Sequence, residues 1–173
     1  MQQPPDPTPG AWSRPPDSMP GRNETEGFAT RTRRNLDFIV AAHQQHEDVH
    51  VVTQVVLSLL GIVVFPFERI IKSWACRWPL ADLEAEGWPR WTYLDGSEPP
   101  DDLSELMANL RHATAHSNIS FSSDSRYLPE VTITFMNRRP QRLGGGTWKA
   151  SIQGDRLLAF CQRYLELLEG LVG

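Results

Sequence analysis

The stretch HVVTQVVLSLLGIVV, residues 50–64, decides between a helix that spans a membrane and a helix buried in a bundle. No formally charged residue occurs from Val49 to Phe67, which approaches the roughly 20 apolar residues needed to span a bilayer. Polar residues interrupt the run, and Gln54 and Ser58 are four residues apart, so they share one face of a helix. We therefore expect a buried helix of a bundle with one polar seam, and not a membrane span.

Three further long helices are predicted from apolar residues at helical spacing, at about residues 30–47, 101–115 and 155–171. The helix at 101–115 starts at an aspartate that can cap it, Asp101 or Asp102. Its apolar stripe consists of Leu103, Leu106, Met107 and Leu110. These helices can bury their stripes against the uncharged helix and form one core.

The segment between the second and third long helices is less regular. The stretch FERIIKSW, which follows Pro66, continues or restarts the second helix. Residues 77–100 hold four prolines and predict a loop with one short helix at LADLEAE. Four tryptophans in this region could stack on nucleic-acid bases, but we expect them to pack the loop onto the bundle: Trp74, Trp78, Trp88 and Trp91.

Strand patterns occur only after the third long helix. The stretch EVTITFMN alternates Val131, Ile133 and Phe135 with polar residues, which predicts a strand, and TWKASI is expected to pair with it. The predicted fold class is therefore all-α, a bundle of four to five helices with a small antiparallel β-hairpin before the last helix. Residues 1–27 are proline-rich and predict a disordered tail, which leaves a single domain at 28–173.

Composition excludes several classes of protein. A net charge of −4 and a pI near 5.7 argue against coating nucleic acid by bulk electrostatics, but they allow a local basic site. The two cysteines, Cys76 and Cys161, do not form a disulfide framework. The N-terminus lacks the order of a signal peptide, so we expect a cytoplasmic protein.

The stretch LRHATAHSNISF, residues 110–121, is the strongest candidate for chemistry. Metal-free cleavage of RNA needs a base for the 2′-hydroxyl proton, an acid for the leaving 5′-oxygen and a cation for the phosphoryl charge. Histidine suits the first two tasks because it titrates near neutrality, and arginine suits the third. Arg111, His112 and His116 supply this set, although cations are also common at helix ends for structural reasons.

These residues resemble the signature of the HEPN superfamily of ribonucleases, an arginine followed after four to six residues by a histidine. Arg111, His112 and His116 match that signature, in which a polar residue commonly follows the arginine. The stretch DVHVVTQVVLSLLGIVVFPFE upstream of LRHATAHSNISF resembles a HEPN branch carried on bacterial plasmids and chromosomes. The resemblance covers about residues 30–172.

The resemblance implies a homodimeric endoribonuclease that needs no metal and no cofactor, and that leaves 2′,3′-cyclic phosphate ends. His116 would act as general acid and base, Arg111 would stabilise the scissile phosphate, and His112 would polarise or orient it. The remaining candidates for binding the RNA substrate are Asn118, Arg138 and Arg139. A toxin or defence role with an antitoxin or regulatory partner is implied; the alternative is a non-catalytic HEPN-like module that binds a partner protein or nucleotide.

Helical geometry raises an objection to a site in one continuous helix. Positions five apart, such as Arg111 and His116, lie about 140° apart around the axis, whereas His112 and His116 share a face. Either the helix ends near Ala115 and His116 turns back, or two copies of the chain share the site. The HEPN resemblance implies the second, since such motifs usually face each other across a dimer.

Two other clusters have simpler explanations. One helical face could present His43, His46 and His50 to a metal or support the active site, but we expect structural histidines. The basic stretch that contains Arg138, Arg139 and Arg142 could clamp RNA, but a solvated hairpin tip is the favoured interpretation.

Overall fold

The structure, a computed structural model, describes residues 22–64, 78–138 and 145–170. These residues form five α-helices: α1 (Arg22–Gln44), α2 (Val51–Val64), α3 (Leu80–Ala85), α4 (Leu103–Ala115) and α5 (Gly154–Gly170). They also form four strands: β1 (Thr92–Tyr93), β2 (Ile119–Phe121), β3 (Thr132–Arg138) and β4 (Thr147–Gln153). A 3₁₀ turn at Leu128–Glu130 precedes β3.

Helix α2 confirms the expected buried helix with a polar seam. Gln54 Nε2 donates a hydrogen bond to Ser58 Oγ at 3.4 Å, and Ser58 is buried within the bundle. The apolar residues on the same inward side are Val51, Val52, Val55, Leu59, Ile62 and Val63. Within the described ranges, no helix combines the length and apolar character that crossing a bilayer requires.

The other helices lie close to their predicted positions. Helix α1 begins at Arg22, earlier than the expected start near residue 30. Asp102 is the cap of α4, because its side chain accepts a hydrogen bond from the Glu105 backbone N–H at 2.8 Å. The short helix expected at LADLEAE is α3. The stretch FERIIKSW lies outside the described residues.

The prediction of an all-α fold with one small hairpin is wrong, because the described residues are mixed α/β. The predicted β3–β4 hairpin is the centre of a four-stranded antiparallel sheet in the order β1-β4-β3-β2. The outer strands have 2 and 3 residues, too few to show an alternating pattern in the sequence. They form because the hairpin offers a ladder of backbone groups on each side, where β1 pairs with β4 and β2 pairs with β3.

The sheet and the helices form two layers around one core. Alternate residues of β3, Ile133 and Phe135, are buried on the face that lies against α4. Ala150 and Ile152 of β4 are likewise buried, and α5 lies against β4. The intervening residues of β3 are only half-buried, as expected for an antiparallel sheet with one face on a core. Helices α1 and α2 pack on α5 and complete the helical layer.

The tryptophan-rich loop packs onto this core, as predicted. Trp88 and Trp91 are buried, and both rings meet Phe160 of α5 edge to face, with centroid distances of 5.6 and 5.4 Å. Such aromatic contacts stabilise beyond the area that they bury. Trp78 is half-buried, and Trp74 lies outside the described residues. The two buried indoles are therefore structural and are not available to stack on nucleic acid.

An ion pair ties the first helix of the described chain to the last. Arg33 Nε donates to both carboxylate oxygens of Glu169, at 3.1 and 2.9 Å, and Arg33 Nη2 lies 2.9 Å from one of them. The pair is partly buried, and its fork geometry fixes orientation as well as distance. The contact holds α1 and α5 side by side across 136 residues of sequence.

Candidate active site

The Arg–His motif occupies the last turns of α4, whose inner face is anchored in the core. Leu110 and Ala113 are fully buried, and Thr114 is nearly so. The Thr114 hydroxyl donates to the carbonyl oxygens of Leu110 and Arg111, both at 2.9 Å. Because these contacts fix the inner face, the outer face of the same turns presents its side chains to solvent.

Helix α4 ends at Ala115 in a Schellman cap. The Asn118 N–H donates to the Ala113 carbonyl at 2.8 Å, and the Ser117 N–H donates to the Thr114 carbonyl at 3.1 Å. Ser117 adopts a left-handed conformation with φ of 55°, at the position where glycine is usual. The helix therefore ends at the residue that the first of the two geometric explanations expected.

The two histidines of the motif lie together because they are four residues apart on α4. The rings of His112 and His116 are parallel, with a centroid distance of 6.3 Å and an interplanar angle of 6°. Both side chains are exposed, so both are accessible to a ligand. The His116 backbone N–H still donates to the His112 carbonyl at 3.2 Å, so His116 continues the helical path and stays on the face of His112.

Arg111 is half-buried, and its side chain projects from α4 next to that of His112. At 3.6 residues per turn, adjacent side chains point about 100° apart, so Arg111 borders the histidine face without lying on it. The two imidazoles therefore lie on one face of α4, and the Arg111 side chain starts from the helix at the margin of that face. An arginine there can reach a phosphate held over the histidines only from the side.

Asn118 links the motif to the sheet through its backbone. Its carbonyl accepts a hydrogen bond from the Met136 N–H at 3.0 Å, immediately before β2. The side chain is half-buried, and its expected role in binding the RNA substrate stays a prediction.

Of the three basic residues expected at the hairpin tip, the structure describes only Arg138. Asn137 Nδ2 donates to Asn109 Oδ1 of α4 at 2.8 Å, so Asn137 faces the helix. Successive strand residues point to opposite faces, so Arg138 points away from α4 and is exposed. Arg139 and Arg142 lie outside the described residues. Their contact with RNA stays a prediction.

The histidines near the end of α1 do not share one helical face. The helix ends at Gln44, and His46 is in a left-handed conformation with φ of 62°. His43 packs edge to face on Tyr127 with a centroid distance of 5.7 Å. Among the described residues, no group of three or more His, Cys, Asp or Glu side chains could hold a metal ion.

Sequence reasoning missed four residues that support the motif. Thr114 and Ser117 shape the end of α4, and the amide pair of Asn109 and Asn137 fixes the helix on β3. A buried asparagine in a helical stripe of leucines is a signal that could have identified Asn109, since buried amides need partners. Ser117 gave no such signal, because glycine is the residue expected after a helix.

Fold and site together define a class: a helical domain backed by a small antiparallel sheet, with an Arg–His motif at the capped end of an anchored helix. Residues 17–172 match the family described as HEPN pEK499 p136. The chain therefore belongs to this HEPN family, which confirms the resemblance inferred from the motif. No curated protein and no solved structure gives a significant match to the chain.

Proposed function

We propose that the chain is a metal-independent endoribonuclease. The observation that carries the proposal is the exposed, parallel pair of His112 and His116 at the capped end of α4 in a chain of the HEPN family. Two accessible imidazoles beside an arginine are the groups that transfer protons and stabilise charge at a phosphodiester. The fixed inner face of α4 supports them from below, so little reorganisation is needed when RNA binds.

The reaction assigns one task to each group. His116 accepts the proton of the 2′-hydroxyl, whose oxygen attacks the adjacent phosphorus and forms the 2′,3′-cyclic phosphate. The bond from phosphorus to the 5′-oxygen breaks. The protonated imidazole of His116 then returns its proton to that oxygen, which leaves a 5′-hydroxyl end. Arg111 stabilises the charge on the phosphoryl oxygens, while His112 orients the phosphate.

The active form is a symmetric dimer. Arg111 lies at the margin of the histidine face, so a single copy offers a phosphate an arginine on one side only. A two-fold axis near the end of α4 would bring a second motif opposite the first and complete the set. Sedimentation analysis at tens of micromolar tests this arrangement, and a purely monomeric protein would contradict it.

The proposal is tested by incubating total RNA with purified protein in the presence of EDTA. Wild type is expected to cleave the RNA, and His116→Ala is expected to reduce cleavage by about 10²–10⁴-fold because it removes the acid and base. His50→Ala is the matched control, since His50 is also exposed but lies at the start of α2. End analysis should find 2′,3′-cyclic phosphates, and cleavage by His116→Ala at the wild-type rate would refute the assignment.

The position of Arg111 at the margin of the histidine face also favours a second candidate, a non-catalytic HEPN-like module that binds a partner protein or nucleotide. Absence of cleavage by wild type, together with retained dimerisation, would favour that candidate.

The HEPN resemblance also suggests a toxin or defence role for the proposed nuclease, with an antitoxin or regulatory protein as the partner that restrains it. Induced expression is then expected to arrest bacterial growth in the wild type and not in His116→Ala. Growth arrest by both proteins would contradict a role for the nuclease.

A further inference from the structure

We infer that His112 and His116 form a binding site for a divalent transition-metal ion such as zinc, and that occupancy of this site inhibits the protein. Metal binding stands on the geometry alone, whereas inhibition rests on the proposed ribonuclease function. The ion is therefore a regulator of the motif and takes no part in the reaction.

The geometry of the pair suits two-point coordination. The residues are four apart, and their rings are parallel with centroids 6.3 Å apart. A zinc ion binds imidazole nitrogen at about 2.0–2.1 Å, so the two rings must tilt toward each other to hold one ion. Both side chains are exposed and can make this adjustment without disturbing the core. The backbone beneath them is already fixed by the cap at Ser117.

Two ligands on one rigid helix turn bind better than two separate histidines. Once the first imidazole is coordinated, the second is held nearby at a high effective concentration. Neutral imidazole is the most common protein ligand for such metals, and its donor nitrogen is the atom that a general base needs. A bound ion therefore occupies the lone pair that would otherwise accept the 2′-hydroxyl proton.

The surroundings leave the metal site open to solvent, so the ion binds reversibly. Throughout the described ranges, no third histidine, cysteine or carboxylate joins a group that could hold a metal, so within a single chain water completes the coordination. Structural zinc sites are closed by four protein ligands, whereas a site with two ligands releases its ion when a chelator is added. Arg111 borders the pair and carries a like charge, which further limits affinity for the ion.

The binding test titrates zinc chloride into the metal-free protein at pH 7.5 and follows the heat of binding. Wild type is expected to show one class of site for each chain. His112→Ala and His116→Ala should each weaken binding at least about tenfold, because one of two ligands is lost. The control combines His46→Ala with His50→Ala, which removes two exposed histidines elsewhere and should keep the wild-type affinity.

The outcomes distinguish zinc binding at the histidine pair from the inhibition of RNA cleavage. Equal zinc affinity in wild type and His112→Ala, with both proteins folded by circular dichroism, would overturn the site. Cleavage of total RNA by wild type should fall as zinc is added over the range in which the site fills, and EDTA should restore it. Zinc binding without any change in cleavage would overturn the inhibition. A wild type that never cleaves RNA would refute the proposed nuclease and with it the inhibition, but the binding data would still decide the site.

Discussion

Helices α1 and α4 end in the same way but present their histidines differently. Each ends in a Schellman cap with a residue other than glycine in the left-handed conformation, His46 at φ of 62° and Ser117 at φ of 55°. In α4 the histidines lie within and at the end of the last turns, so they keep helical spacing and stack. In α1 the second histidine is itself the left-handed residue and leaves the helical path.

The surroundings increase the difference between the two helix ends. Near the end of α1, the half-buried His43 is covered on one side by the Tyr127 ring, and Asp48 pairs with Arg126. The end of α4 has no such cover in the described residues, and both of its imidazoles are exposed. The histidines of α4 thus form a candidate pair because the cap follows the last of them and their face is exposed, whereas those of α1 do not.

The largest expected difference between the two regions is in the effect of their arginines on RNA cleavage. Arg111→Ala should reduce RNA cleavage by about 10²–10³-fold, the usual loss when one charge-stabilising donor is removed. Arg126→Ala, which breaks the ion pair with Asp48 near the end of α1, should leave cleavage unchanged. Rates on a labelled RNA measure both variants, and equal losses would show that the two helix ends do not differ in function.

The next effect concerns the support beneath each helix end. Leu106 of α4 and Leu36 of α1 are both fully buried, so replacing either by alanine should lower the free energy of unfolding by about 2–5 kcal/mol. Urea denaturation measures the change. If Leu106→Ala lowered the free energy of unfolding by less than about 1 kcal/mol, the inference that the inner face of α4 is anchored in the core would be wrong.

A smaller effect tests the caps. Glycine adopts the left-handed conformation without strain, so Ser117→Gly and His46→Gly should each raise the free energy of unfolding by about 0.5–1 kcal/mol. Valine is strained there, and Ser117→Val should both lower stability and reduce cleavage because His116 loses its position. His46→Val should lower stability alone. Thermal denaturation and RNA cleavage, measured on all four variants, distinguish these outcomes.

The smallest effect lies away from both helix ends and provides a reference for them. Tyr164 is fully buried, and among the described residues its hydroxyl has no hydrogen-bond partner. Tyr164→Phe should change the free energy of unfolding near neutral pH by less than about 1 kcal/mol.

Burial raises the pKa of Tyr164 well above its usual value, which adds a test at high pH. Above about pH 10 the unfolded chain releases this proton while the folded chain keeps it, so rising pH favours unfolding. Wild type should therefore lose more stability than Tyr164→Phe between pH 9 and 11, as measured by urea denaturation. Identical losses would show that the hydroxyl is solvated.

Periodicity predicted the long elements well, because each of them is long enough to reveal its pattern. The stripe from Leu103 to Leu110 is buried as predicted, and the polar seam of α2 is present. Strand β1 could not be predicted, since Thr92 and Tyr93 are extended only because β4 offers them a partner. The Arg–His spacing placed the candidate site at the end of α4, and its role stays a prediction. The cap at Ser117 could not be predicted, because it depends on a left-handed backbone conformation where the sequence has no glycine.

The contact between α1 and α5 has a consequence for synthesis of the chain. Arg33 and Glu169 are separated by 136 residues, and α5 supplies core residues against which α1 and α2 pack. A nascent chain therefore cannot close its core while α5 is still inside the ribosome, even after α4 and its motif have emerged. Because domains fold as units and non-local contacts form late, the motif gains its support only when synthesis of α5 is finished. Ribosome-bound chains that stop before α5 should accordingly be sensitive to protease throughout, including the segment that carries the histidines.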